Sequence, residues 1–272
     1  MTKTPTLLLS FDVEEFDMPL EYGKQIPEDE QLGIGKQGMD ALIPLIDAHK
    51  LSCTLFTTAR YALSFPEQVR NLAGTHEIAS HTFYHSCFEM VDLRKSRETL
   101  EKIGGKPVSG LRMPRMRAVP VTDVLEAGYA YDSSIHPIWL PGRYNNLHLP
   151  RNIYREQGLL RVPASVSPGI RFPLFWLSFK NLPYPIYLKL ARQTLHGLGW
   201  LCLYFHPWEF TDISRSGIPA YTRKPCGNKL LDRLDHLITD LQKEAGCKTI
   251  GDYLQDRAKP EASTLIKKKR LP

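Results

Sequence analysis

Cysteine is scarce in this chain. Its five cysteines, Cys53, Cys87, Cys202, Cys226 and Cys247, stand far apart with no CxxC pair, and an odd, scattered set excludes a disulfide framework. Long apolar runs are missing as well. No window approaches the roughly 20 apolar residues that span a bilayer. The N-terminal run Leu7-Leu8-Leu9 is too short for a signal peptide and leads straight into acidic residues. These absences give the expectation of a reduced, cytoplasmic, soluble protein. There is no internal repeat and no low-complexity linker. The 272 residues, 42% of them hydrophobic, are enough for a sizeable core in one α/β unit.

Excess charge of either sign is also scarce, once its position is considered. The formal net charge is +6, but residues 259–272 carry +4 of it and the first 258 residues only +2. A generally basic protein is excluded, and nucleic-acid binding has only the tail to rest on. The Lys-Lys-Lys-Arg of that tail reads as a solvated end. The expected division is a catalytic domain over 1–258 and a basic tail over 259–272.

What the sequence does have is alternation. Residues 6–11 are a continuous apolar run, the pattern of a strand buried on both faces. A helical period covers 38–49, with Pro44 inside it, and CTLFTT at 53–58 reads as a second buried strand. Helices at 66–72, 92–103 and 121–127 alternate with strands at 77–80, 108–111 and 128–131. The Pro- and aromatic-rich stretch 135–185 reads as long loops around a strand at 160–163. A helix over 185–198, an apolar strand over 200–206 and a helix over 228–245 complete the pattern, which predicts a single α/β domain with a mostly parallel sheet. In such folds chemistry gathers at the C-terminal ends of strands. The polar residues found there are Asp12, Glu14, His81, His85, Arg112, Asp132 and His206.

His81 and His85 stand at i and i+4, a spacing that puts two imidazoles on one side of a helical turn. By itself this describes either two metal ligands or two ordinary polar histidines. In Asp12-Val13-Glu14-Glu15, residues i and i+2 of an extended segment project to one side, so Asp12 and Glu14 can converge while Val13 turns away. The bland reading is an acidic loop, since eight acidic residues lie between positions 12 and 30. His206, leaving a buried strand among aromatics, suits a general acid as well as a satisfied core histidine. The remaining histidines lack such partners.

Taken in order, SFDVEE at 10–15, HEIASHTFYH at 76–85, GLRMP at 110–114, YDSS at 131–134 and LYFHPWEF at 203–210 resemble the polysaccharide deacetylase family (the NodB-homology domain of carbohydrate esterases), in a DVEE-type branch. The resemblance spans roughly residues 6–254. It implies a distorted (β/α) barrel and a divalent cation, zinc foremost, with cobalt, nickel or manganese as alternatives. It matches Asp12 to the catalytic base, His81 and His85 to the metal histidines, and Arg112 to the arginine that holds the base. Asp132 matches the acid that tunes the catalytic histidine, and His206 matches that histidine. Many members carry two adjacent aspartates, the second a metal ligand. Here Val13 follows Asp12, and the resemblance to the DVEE-type branch implies that Glu14 takes the ligand role, with Glu15 as its rival.

The implied activity is hydrolysis of an N-acetyl group from an amino sugar of a glycan or glycan precursor. Deformylase or other amidohydrolase chemistry, and a non-catalytic carbohydrate-binding protein, are the competing readings. Arg115, Tyr84 and Trp208 are the candidates for substrate contact. The net +4 of residues 106–161 points to a phosphate on the substrate. The aromatics of 172–187 serve core packing, sugar stacking or lipid contact. The expected partner is therefore a carbohydrate, phosphate- or lipid-linked, with peripheral membrane contact, no transmembrane segment and no nucleic acid.

Overall fold

The computed structural model describes residues 4–258, so the basic tail expected at 259–272 lies outside the described residues. The run TLLLSFDV has no charged residue before Asp12 and cannot leave either face wet. It forms β1 (Thr6–Val13), buried throughout. The strands that follow are β2 (Thr54–Thr57), β3 (Glu77–Ser80), β4 (Gly110–Leu111) and β5 (Tyr131–Asp132). After them come β6 (Trp139–Leu140), β7 (Tyr144–Asn145), β8 (Tyr154–Glu156), β9 (Leu159–Arg161), β10 (Trp200–Phe205) and β11 (Gly246–Cys247).

The main sheet runs β10-β1-β2-β3-β4-β5-β9-β8, with β11 paired to the start of β1. Its pairs are parallel except β8–β9, and β6–β7 form a separate antiparallel hairpin. The sheet curls until the segment after β9 reaches β10. There the Ser165 N–H donates to the Cys202 carbonyl at 3.0 Å and the Cys202 N–H donates to Ser165 Oγ at 2.9 Å. The result is the expected fold class: one α/β domain, a distorted barrel closed by a thin seam.

Alternation along each strand sorts side chains between two cores. Leu7, Leu9, Phe11 and Val13 face outward into the cluster shared with the helices. Leu8, Phe56, Ala79, Tyr131, Trp200 and Cys202 form the inner cluster. Continuing by steps of two gives Ser10 and Asp12 on β1 with Glu14 just past its end, and Tyr204 on β10 with His206 just past its end. The inside of the barrel thus turns from apolar to ionisable as the strands reach its mouth.

Two expectations change. The first helix is Glu28–Ala48 and begins ten residues before the predicted start. Its buried stripe includes Gly35 and Gly38, which carry no apolar signal in the sequence. They are there for close approach: a Cβ at Gly35 would overlap the Glu14 carbonyl, and one at Gly38 the Pro207 carbonyl. Glu28, Asp29 and Glu30, read as part of an acidic loop, occupy its first turn, where acidic groups face the positive end of the helix dipole. The stretch 135–185 also holds more than a strand. It contains the β6–β7 hairpin, β8 and the helix Trp176–Asn181, elements too short to show a period. No helix among the described residues is long and apolar enough to cross a membrane.

Candidate active site and metal centre

Glu14 leaves the end of β1 on the inner face, as its i+2 spacing from Asp12 predicts. His81 and His85 do not lie on a helical turn. They flank a loop after β3 that reverses at Thr82, a non-glycine residue with φ 62°. Two N–H groups at the start of the helix Ala59–Ser64 hold that loop: Ala59 donates to the Thr82 carbonyl at 3.0 Å and Arg60 to the Phe83 carbonyl at 2.9 Å. The imidazoles stack with centroids 5.6 Å apart. Their Nε2 atoms lie 3.0 and 3.2 Å from Glu14 Oε2.

The far sides of both rings are fixed. His81 Nδ1 donates to the Arg112 carbonyl at 2.7 Å, and His85 Nδ1 donates to Asp17 Oδ1 at 2.7 Å. With the protons placed there, both Nε2 atoms present lone pairs to a carboxylate oxygen that is buried and accepts no hydrogen bond. Three buried donor atoms within 4.8 Å of one another, all electron-rich and unshared, fit a divalent cation. The electrostatics show a cluster that draws positive charge, which falls on a proton that ligation of a cation would displace. Burial alone would push Glu14 up, but His85, His206 and His81 hold it far below the usual carboxylate range. Burial works against charge on His85, yet Glu14 and Asp17 outweigh it and raise the imidazole to about 9. Glu15, the rival carboxylate, is elsewhere: its Oε2 accepts from Thr58 Oγ1 at 2.6 Å, and burial pushes it up.

Beside this cluster, Asp12 Oδ1 accepts from Arg112 Nη1 at 2.6 Å. Arg112 is fully buried under the Phe56 ring, and it also reaches Ser10 Oγ and the carbonyl and hydroxyl of Ser133. His206 Nε2 points into the same space, 3.9 Å from Asp12 Oδ2 and 4.0 Å from Glu14 Oε1. Charge on His206 is opposed by burial but favoured by Glu14, Glu209 and Asp12, so its imidazole is raised.

The cleft above has a volume of about 340 Å³ and is walled by Met18, Met113, Tyr144, Phe175, Trp176 and Tyr221 among others. A larger cavity of about 540 Å³ opens where β3 begins, around His76, Glu77 and Tyr131. Its half-buried carboxylate, Glu77, is already satisfied by Thr54, Tyr131 and the Gly251 N–H. Asp12, Glu14, His81, His85 and His206 line the smaller space.

Asp132 does not meet His206. It is buried in a pair with Arg161 and accepts from the Ser134 hydroxyl, so it ties β5 to β9. Burial outweighs those partners and pushes its carboxyl up. The carboxylate on His206 Nδ1 is that of Glu209, at 3.1 Å. Trp208 is no substrate wall either. It is 1% exposed, stacks on His206 and donates its indole N–H to Glu14 Oε1 at 2.9 Å. Tyr84 is exposed and is not among the residues that line the cleft. Arg115 does line it, but its nitrogens are engaged by Glu21, Asp17 and the His85 carbonyl, which leaves no open fork for a phosphate.

Asp17 and Glu209 were not singled out in the sequence. Asp17 is hidden in the acidic run. Glu209 carried a signal in its i+3 spacing from His206 across a Pro-containing turn, the arrangement of a capping box.

Residues 2–130 match the family model described as polysaccharide deacetylase. No curated protein matches significantly. Among solved structures, a Mycobacterium smegmatis protein assigned as a polysaccharide deacetylase aligns with TM-score 0.62 at 17% identity, over 94% of this chain and 91% of that one. One so assigned from Pseudomonas aeruginosa PAO1 aligns with TM-score 0.59 at 16% identity, over 92% and 89%. The PuuE allantoinase aligns with TM-score 0.58 at 15% identity, over 92% and 89%. At these identities the structures speak for the shared barrel. The sequence match makes residues 2–130, just under half of the chain, similar to the polysaccharide deacetylase family, and the structures extend the shared barrel over most of the rest.

Proposed function

We propose that this chain removes an N-acetyl group from an amino sugar of a glycan or glycan precursor, using a divalent cation, zinc foremost, held by Glu14, His81 and His85. The observation that carries the reading is the meeting of three unshared ligand atoms with two further proton-handling groups, Asp12 and His206, in one cleft. A divalent cation at the three ligands supplies Lewis acidity toward the amide.

The chain's own residues move the protons. Arg112 occupies Asp12 Oδ1 and leaves Oδ2 facing the cleft, where it takes the proton of the water that adds to the acyl carbon. His206 Nε2 gives a proton to the nitrogen as the C–N bond breaks. The apolar walls limit competing water. The β6–β7 hairpin supports a lipid-linked precursor: Leu140, Arg143 and Tyr144 line the cleft, while Trp139 stands 62% exposed on the same hairpin.

Acetate release from N-acetylated amino sugars, with zinc content measured in parallel, tests the reading. Asp12→Asn and His206→Ala are expected to abolish turnover and keep the metal; near-native activity in either overturns the assignment. Formate release in place of acetate favours the deformylase alternative. Sugar binding without turnover favours the non-catalytic one. Failure to sediment with anionic vesicles removes the lipid-linked substrate.

A further inference from the structure

Glu209 and Lys180 form an ion pair 3.0 Å long in which both side chains are completely buried. A buried pair of this kind is weak evidence for stability, because desolvating two charges offsets much of their attraction. Its surroundings indicate another purpose. Glu209 Oε1 accepts from the His206 backbone N–H at 2.9 Å and from His206 Nδ1 at 3.1 Å. Lys180 Nζ donates onward to the Thr222 carbonyl at 2.7 Å and lies over the rings of Trp176 and Trp208. Those same two rings enclose His206. Trp208 stacks on it at 4.8 Å with planes 21° apart, and Trp176 meets it edge-on at 5.0 Å and 88°. The imidazole is thus covered on its sides and anchored at Nδ1, and Nε2 is the nitrogen that reaches the cleft.

We propose that the Lys180–Glu209 pair is a positioning unit that holds one proton of the His206 imidazolium on Nδ1 and aims the other, on Nε2, at the leaving nitrogen, so that protonation of the leaving group depends on two residues that never touch substrate. This rests on the hydrolase reading above. The logic is one of donors and acceptors. A carboxylate can only accept, so Glu209 forces Nδ1 to be the donor. Lys180 keeps Glu209 ionised: burial would raise its carboxyl, but Lys180 and His206 hold it low. A neutral Glu209 could donate to Nδ1 instead, which would exclude the imidazolium and remove the charged acid whose Nε2–H is to be given away. In the step itself His206 is the imidazolium: the leaving nitrogen takes the Nε2 proton, the electron pair of the breaking C–N bond stays on that nitrogen, and the ring is left neutral with its remaining proton on Nδ1.

Two acetyl donors separate this role from a merely structural one. An amine leaving group needs the proton, whereas the phenolate of 4-nitrophenyl acetate departs without one. Glu209→Ala is expected to lower kcat on an N-acetylglucosamine oligomer by about 10²–10³-fold, with KM and zinc content unchanged. The aryl ester rate should stay within about threefold. Glu209→Gln, which keeps an oxygen for Nδ1, should recover part of the amide rate, and Lys180→Met should show the same amide-selective loss. If Glu209→Ala does not fold, the Gln and Met variants carry the test. Equal losses on amide and ester, or no loss in folded, zinc-replete variants, overturn the positioning role alone. A wild-type protein that cleaves neither substrate overturns the hydrolase reading, and the positioning role with it.

Discussion

Replacing Asp17 by Asn changes one atom behind His85 and should weaken the metal centre. Asp17 is 2% exposed and uses both oxygens: Oδ1 accepts from His85 Nδ1 at 2.7 Å and Oδ2 accepts from Arg115 Nη2 at 3.0 Å. A carboxylate serves two donors, whereas a carboxamide must turn an N–H toward one of them. Facing Arg115, that N–H opposes another donor and loosens the loop. Facing His85, it makes Nδ1 the acceptor and moves the ring proton to Nε2, where the lone pair is needed. Lost support behind a ligand histidine typically lowers metal affinity 10–100-fold, or about 1.4–2.7 kcal/mol. The assay is zinc affinity by competition with a chromophoric chelator, together with acetate release at rising zinc. The variant should need about 10–100 times more zinc and then regain most of its rate. A folded Asp17→Asn protein with zinc affinity within about twofold of wild type would refute the reasoning.

Glu14→Gln should abolish stoichiometric zinc binding while Glu15→Gln leaves it intact; the opposite result in metal analysis would move the ligand role to Glu15. Gly38→Ala should destabilise by about 1–3 kcal/mol in urea unfolding, because the new methyl meets the Pro207 carbonyl. At an open helical position the same change stabilises by up to about 1 kcal/mol, so the sign alone decides. His136 is buried beside Arg112, and burial first and that charge second lower it to about 3. The unfolded chain then binds the proton that the folded chain refuses. Stability is full above the ordinary imidazole range and falls as the pH drops from there toward 3, by up to about 1.4 kcal/mol per pH unit. His136→Phe should flatten that slope in unfolding measured between pH 6.5 and 4.5; an unchanged slope would count against it.

The barrel and most of its mouth were legible because a two-residue period on β1 says which side chains share a face. Asp12 and Glu14 follow from Leu8 and Ser10 once the strand is recognised. The resemblance pairs Arg112 with Asp12, and the two do meet, since both sit at strand ends whose positions the sheet dictates. It misled at Asp132, because which carboxylate meets His206 Nδ1 depends on how the turn Pro207–Phe210 closes. That turn brings Glu209 back onto its own residue i−3. Lys180 was illegible, a single lysine in an aromatic stretch, pairing with Glu209 across 29 positions of sequence. The first helix was misjudged at its start because glycines chosen for close approach look like absences of pattern.

The unequal length of the strand ladders has a consequence for how such a site can diversify. β10 and β1 share six paired residues, and β1–β2 and β2–β3 share four each, whereas β3–β4 share one and β4–β5 and β5–β9 two each. His206, Asp12, Glu14 and His81 all issue from the long-laddered arc, which the glycine-lined helix also braces from outside. On the short-laddered arc, Arg112 spans the interior to Ser10 and Asp12 and supplies the registration that backbone pairing there lacks. The reacting groups are dimensioned by one half of the barrel and the cleft walls largely by the other. Changes to the walls can therefore accumulate on the loosely laddered side, while the spacing among Asp12, Glu14, His81 and His206 keeps its calibration.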